Sequence, residues 1–213
     1  EDLLSLLTYA GAIGHLCINH PFMNPWEMKL HDFPLSLASS MEILNDPTFE
    51  TAGYAAEKAL KAWSLLWNWG HDLVGVGGSD AHLGINESYA GKEEPSRLGD
   101  PITWIRADGL SAKGLRDGLD RKEVAISRCG RPHLSLTDHE VNGLFAGSSA
   151  IGKHLHLPEV ELSFELLDPP DKELYHEWIL DGEVIEKKEG TKSTKRFRQE
   201  EGHWIRVDVR LET

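Results

Sequence analysis

Apolar positions in the first 130 residues fall into short runs separated by longer amphipathic stretches. Short, mostly apolar runs are typical of strands that are covered on both faces, and we assign residues 12–18 and 73–78 in this way. Residues 41–44 form another short apolar run, which ends at the turn signal of residues 45–47. Residues 2–10 and 51–69 have the composition and spacing of helices, and Gly70 is a stop signal for the second. Strands that alternate with helices predict a parallel α/β arrangement.

The pattern changes after Cys129 and Gly130. Before this point we predict a strand at 102–106, a helix at 111–119 and a strand at 124–127. Beyond it, apolar and polar residues alternate in short runs, which indicates antiparallel β structure. Asp181 and Gly182 form the dipeptide that favours a two-residue hairpin turn. We therefore predict two domains, at 1–128 and 129–213, the second a small antiparallel, sandwich-like β domain.

Composition and charge narrow the range of partners. The 213 residues are 40% apolar, which is sufficient for a folded core. Lys and Arg total 22 against 35 Asp and Glu, so the formal charge is −13 and the protein repels nucleic-acid backbones. A cluster of divalent cations would still allow an anionic small substrate to bind locally.

Membrane insertion and a disulfide scaffold are not expected. No run approaches the roughly 18 apolar residues of a membrane helix, and the N-terminal residues lack the basic region of a signal peptide. Cys17 and Cys129 are the two cysteines of the sequence, and Cys17 lies within an apolar run. The start of the chain is expected to be that of a processed or excised segment, and the localisation stays open.

Candidate chemistry concentrates after the third apolar run, in the sequence Gly77-Gly78-Ser79-Asp80-Ala81-His82. In an extended backbone, residues two apart point the same way, so Asp80 and His82 can face one point beyond the strand end. A carboxylate with an imidazole suits Zn, Mn or Fe. His20 precedes Pro21 at the end of the first run, where it can join them if the strand ends meet.

These motifs resemble, in order, the later motifs of PHP-domain metal-dependent hydrolases. The resemblance rests on Asn19-His20-Pro21, on residues 41–45, on the helix end at 63–70 and on residues 77–82. Residues 97–104 and the trailing β region are similar to the carbaryl hydrolase branch of that group. The resemblance implies part of a distorted (β/α)7 barrel, with His20, Asp80 and His82 as ligands in a centre of two or three divalent ions.

The resemblance also implies ligands that this sequence lacks. The family opens with a His-x-His motif that leads into Ser-Asp-Gly, followed by a further His and a Glu. We expect these to come from an N-terminal PHP segment, of the same protein or of another chain.

Four more residues are candidates for substrate binding or for orienting the ligands: Asn19, Glu42, Asn45 and Arg97. A buried Glu bound to a backbone amide is the alternative interpretation for Glu42. Arg97 also has two interpretations. Its guanidinium could bind a substrate oxyanion, or it could form a surface ion pair with Glu93 or Glu94.

Metal-dependent hydrolysis of a small ester is the function that these residues favour. A cation would activate water and polarise the electrophile, as in a phosphoesterase. Hydrolysis of a carbamate or carboxylic ester is an alternative within the same family. A non-catalytic binding or assembly module is an alternative of a different class, and it predicts no bound transition metal.

Overall fold

The computed structural model describes residues 3–28, 34–137 and 149–211. It is a mixed α/β structure whose strands pair mostly antiparallel. The chain divides into two compact units, one of Glu1–Asp120 with Val124–Arg128 and one of Arg121–Glu123 with Cys129–Thr213. Among the described helices, none combines the length and the apolar character that spanning a bilayer requires.

A three-stranded parallel sheet forms the centre of the first unit. Its strands are β1 (Cys17–Ile18), β2 (Ser40–Leu44) and β3 (Val74–Gly77), in that order. Met41 of β2 is aligned with Ile18 on one side and with Gly75 on the other. In the described residues the sheet is open and no barrel is closed.

Helices α1 (Leu3–Ile13) and α2 (Ala52–Asn68) belong to the same unit. The buried positions of α2 include Ala55, Ala59 and Leu66, whose spacing places them on one face. Leu66 joins a core with Ile18, Met41, Ile43 and Leu73. The helix ends before Gly70, whose φ of 81° suits a residue without Cβ. The predicted helix at 51–69 is thus confirmed.

The first apolar run does not form the predicted strand. Helix α1 continues to Ile13, and only Cys17 and Ile18 pair with β2. Gly14 extends the helical pattern, since its N–H donates to the carbonyl of Ala10 at 2.9 Å. Ile13 is 61% exposed, so the apolar character of this run does not reflect burial on two faces.

The last part of the first unit contains β4 (Ile102–Ile105), α3 (Ala112–Asp120) and β5 (Val124–Ser127). All three elements were predicted, but β4 pairs with β5 antiparallel, which corrects the expected parallel arrangement here. The connection through α3 therefore returns the chain beside β4 in the opposite direction.

Two antiparallel sheets make up the second unit. One has the order β10-β7-β6, and the other has the order β11-β8-β9. Their bounds are β6 (Arg131–Leu136), β7 (Glu159–Leu167), β8 (Leu174–Leu180), β9 (Glu183–Glu189), β10 (Lys192–Arg198) and β11 (Ile205–Leu211). Side chains from both sheets share one core, which includes Phe164, Trp178 and Phe197. The hairpin predicted at Asp181 and Gly182 joins β8 to β9, and both turn residues have positive φ.

Candidate metal centre

Polar side chains lie at the carboxyl ends of all three parallel strands. His20 follows β1, Asn45 follows β2, and Asp80 and His82 follow β3. Because parallel strands end at the same edge of a sheet, residues far apart in sequence meet there. A small depression at this edge has His20, Glu42 and Asn45 in its lining.

Glu42 connects the ends of the first two strands. Its Oε2 accepts a 2.7 Å hydrogen bond from the backbone N–H of His20, and its Oε1 accepts a 3.1 Å bond from Nδ2 of Asn45. Burial raises the pKa of Glu42, against the opposing effect of these two donors. The contact with His20 therefore matches the alternative interpretation of Glu42, a carboxylate bound to a backbone amide. Asn45 also contacts Asp80 and so links Glu42 to the residues that follow β3.

Asp80 and His82 form a close pair beyond β3. Oδ1 of Asp80 lies 3.1 Å from Nε2 of His82, and Oδ2 lies 3.4 Å from Nδ2 of Asn45. The pair is open to solvent, with 42% of the Asp80 side chain and 72% of the His82 side chain exposed. One chain of contacts thus runs from the amide of His20 through Glu42, Asn45 and Asp80 to His82.

The backbone that brings this pair together is not the extended one expected. Asp80 has a φ of 43° and His20 a φ of 30°, both in the left-handed region that non-glycine residues seldom occupy. Such conformations cluster at functional sites, where surrounding contacts hold them. The side chains of Asp80 and His82 converge because the chain turns at Asp80, and the two-residue alternation of a strand does not apply there.

Two features of these side chains are compatible with a divalent cation, and one is not. Nδ1 of His20 is buried and has no hydrogen-bond partner, so a ligating nitrogen is free. Asp80 Oδ1 and His82 Nε2 lie 3.1 Å apart, which is a hydrogen-bonding distance. It also falls within the roughly 3.0–3.4 Å that separates two ligand atoms about 2.1 Å from one ion. Within the described residues, however, no three or more His, Cys, Asp or Glu side chains are grouped so as to hold one ion.

Asn19 and Arg97 lie apart from this chain of contacts. Both residues are exposed. The carbonyl of Arg97 accepts a hydrogen bond from the N–H of Asp100, which forms a turn. In the described part of the chain, no hydrogen bond joins either side chain to Glu42, Asn45 or Asp80, so a role in substrate binding stays a prediction for both.

Sequence reasoning missed a buried carboxylate beside the site. Asp46 is 2% exposed, and its Oδ2 accepts a 2.5 Å hydrogen bond from the hydroxyl of Ser96. Tyr89 lies near the same carboxylate; burial raises the pKa of its hydroxyl, and the charge of Asp46 raises it further. The run Asn45-Asp46-Pro47 reads as a turn signal, and no local pattern connects it with a serine fifty residues away.

Comparisons with known proteins give no relative. No protein-family model, no curated protein and no solved structure matches the chain.

Proposed function

We propose that this protein is a metal-dependent hydrolase of the PHP type that cleaves a small ester by means of metal-activated water. The contact chain from the His20 amide through Glu42, Asn45 and Asp80 to His82 is the observation that carries the proposal. This contact chain joins residues at the ends of β1, β2 and β3, and they include residue types that bind metals. The resemblance to PHP hydrolases implies such an arrangement.

His20, Asp80 and His82 would each contribute a ligand to a centre of two or three ions, and Glu42 and Asn45 would orient them. Glu42 fixes the position of His20 through its amide, and Asn45 lies between the carboxylates of Glu42 and Asp80. Hydrogen-bonded partners of this kind orient ligands and are often as necessary as the ligands themselves. A bound Zn, Mn or Fe ion would lower the pKa of coordinated water and polarise the ester oxygen.

A centre of two or three ions needs more ligands than these three residues. We place the others on an N-terminal PHP segment of the same protein or of a partner chain. In this proposal β1, β2 and β3 are part of a distorted (β/α)7 barrel. Phosphoesters are the proposed substrates, and carbamate or carboxylic esters, which need similar activation of the electrophile, are the alternative.

Metal analysis of the purified chain tests the proposal directly. We expect bound Mn or Zn in the wild-type protein and its loss in Asp80→Ala and His82→Ala, because each change removes a ligand atom. His71→Ala is a matched control, since His71 lies outside the contact chain. Substoichiometric metal that none of these variants changes would favour a binding module instead.

Activity assays then separate the substrate classes. A chromogenic phosphodiester and an aryl carbamate, each with and without added Mn or Zn, distinguish the two hydrolase alternatives. Metal-dependent turnover that Asp80→Ala abolishes would support the proposal. Turnover that is independent of both metal and Asp80 would contradict it.

A further inference from the structure

The loop between β3 and β4, residues 78–101, carries both Asp80 and His82. Beyond Gly78, its backbone hydrogen bonds in the described structure join residues close in sequence, such as Glu87 with Gly84 and Lys92 with Tyr89. Such bonds shape the loop but do not attach it to the sheet. Its position therefore depends on side chains that reach other elements.

Asp46 provides the deepest of these attachments. It follows β2 by two residues, and its Oδ2 accepts the 2.5 Å hydrogen bond from Ser96 near the far end of the loop. Tyr89, in the middle of the loop, lies near the same carboxylate, whose charge adds to burial in raising the pKa of the Tyr89 hydroxyl. Asp46 and Ser96 are each 2% exposed, so water does not compete for this contact.

Aromatic packing supports the same attachment. The ring of Tyr89 meets Phe49 edge-to-face with centroids 5.5 Å apart, and Phe49 lies 5.6 Å from Trp26. Phe49 comes from the segment between β2 and α2, as Asp46 does. The ring of Tyr89 thus packs against the same segment that carries Asp46.

A role in local turn formation does not explain all of these contacts. Oδ1 of Asp46 accepts from the N–H and the hydroxyl of Thr48 at 2.9 and 2.6 Å, which is the pattern of an Asx turn. That turn needs one oxygen only. The second oxygen, Oδ2, is buried and accepts from Ser96, and it takes no part in the turn. Turn formation therefore does not account for this contact.

We propose that Asp46 is a positioning residue, which fixes the loop of residues 78–101 against the end of β2 and so sets Asp80 and His82 for metal binding. This inference rests on the proposed function for its consequence, and on the contacts of Ser96 and Tyr89 for its mechanism. Asp46 itself touches neither the metal nor the substrate in this proposal.

The test removes the two loop hydroxyls near Asp46 and leaves every proposed ligand in place. Ser96→Ala and Tyr89→Phe each delete one hydroxyl, and Tyr89→Phe keeps the ring against Phe49. Ser88→Ala is the matched control, because Ser88 lies in the same loop and donates to the carbonyl of Glu93 within it. Asp46→Asn is a further variant that preserves the shape of the side chain.

Two measurements are made on the full chain. Amide hydrogen exchange of residues 79–99 reports the attachment of the loop without any metal, with α2 as an internal reference. Titration with Mn²⁺ measures the affinity for the ion, which depends on the positions of Asp80 and His82. We expect the double variant Ser96→Ala/Tyr89→Phe to exchange at least about tenfold faster in the loop and to bind Mn²⁺ about tenfold more weakly. Ser88→Ala should change neither quantity.

The outcomes separate this inference from the proposed function. Unchanged loop exchange in the double variant would overturn the attachment itself. Faster exchange with unchanged Mn²⁺ affinity would overturn the positioning role and leave a structural one. If the wild-type protein shows no Asp80-dependent metal binding, the proposed function fails, and the positioning role fails with it even where the exchange data support the attachment.

Discussion

The backbone N–H of His20 donates a 2.7 Å hydrogen bond to Oε2 of Glu42, which joins the loop after β1 to the side chain of a β2 residue. The other carboxylate oxygen accepts from Asn45, so each oxygen has its own donor. Glu42 therefore fixes the position of the loop after β1 relative to the end of β2. The left-handed backbone of His20, with a φ of 30°, is maintained in part by this bond.

Replacement of Glu42 tests this relation. In Glu42→Ala both donors lose their acceptor, and we expect the free energy of unfolding to fall by about 1–3 kcal/mol. Chemical denaturation of the variant and the wild type measures the difference. Glu50→Ala is the control, because Glu50 is exposed, and it should change stability by no more than about 0.5 kcal/mol. Equal effects of the two substitutions would show that the His20 contact contributes little.

The sequence predicted best those elements that local signals determine. Helix α2 follows from its composition and from Gly70, and the β8–β9 hairpin follows from Asp181 and Gly182, because each signal acts within a few residues. Residues 12–18 were assigned wrongly because a short apolar run does not distinguish a strand from a helix end. In the candidate site, the contact of Asp46 with Ser96 spans fifty positions and has no local signature.

A pair of glycines tests the packing of β3. A Cβ at Gly77 would lie 2.6 Å from Cγ2 of Ile126 and 3.2 Å from the carbonyl oxygen of Leu44, whereas a Cβ at Gly53 in α2 would meet nothing within 4 Å. We expect Gly77→Ala to destabilise the protein by about 1–3 kcal/mol through overpacking. Gly53→Ala should be neutral or stabilising by up to about 1 kcal/mol, because alanine favours the helix.

Thermal unfolding of both variants measures this contrast. A tolerated Gly77→Ala would mean that β5 moves readily away from β3. The prediction would then be wrong about the rigidity of the strand that leads to Asp80.

The ion pair between Glu123 and Lys153 predicts a loss of stability in acid. Burial alone would raise the pKa of Glu123, but its contacts with Lys153 and Arg121 outweigh burial and hold this pKa below the usual value of 4.5. The unfolded chain therefore binds a proton at a higher pH than the folded protein does. The stabilisation is complete well above pH 4.5, and it is lost as the pH falls from there through the lower pKa of the folded state.

Lys153→Met tests the sign of this effect. We expect it to lower the free energy of unfolding by about 1–3 kcal/mol at pH 7, because it leaves a carboxylate with only 5% of its side chain exposed beside one remaining cation. The deficit should shrink as the pH falls towards 3. Denaturation curves between pH 3 and 7 measure it, with the exposed Lys172→Met as the control. A deficit that is constant across this range would contradict the assigned pKa direction.

A buried hydrogen-bond network in the second unit gives the last prediction. The hydroxyl of Ser193 donates to Nε2 of His176 at 2.5 Å and accepts from Nε1 of Trp178 at 2.9 Å, while Nδ1 of His176 donates to the carbonyl of Gly190. His176 and Trp178 are both fully buried, so water does not replace the hydroxyl. Ser193→Ala leaves two buried polar atoms without a partner, and we expect it to cost about 2–4 kcal/mol.

The neighbouring Thr194→Ala is the matched control for this network, because Thr194 lies on the same strand with its side chain exposed. It should change the free energy of unfolding by at most about 0.5 kcal/mol. Urea denaturation, followed by the fluorescence of the tryptophan residues, measures both variants. Equal stabilities of Ser193→Ala and Thr194→Ala would mean that His176 and Trp178 find other partners, and that the core between the two sheets can rearrange to supply them.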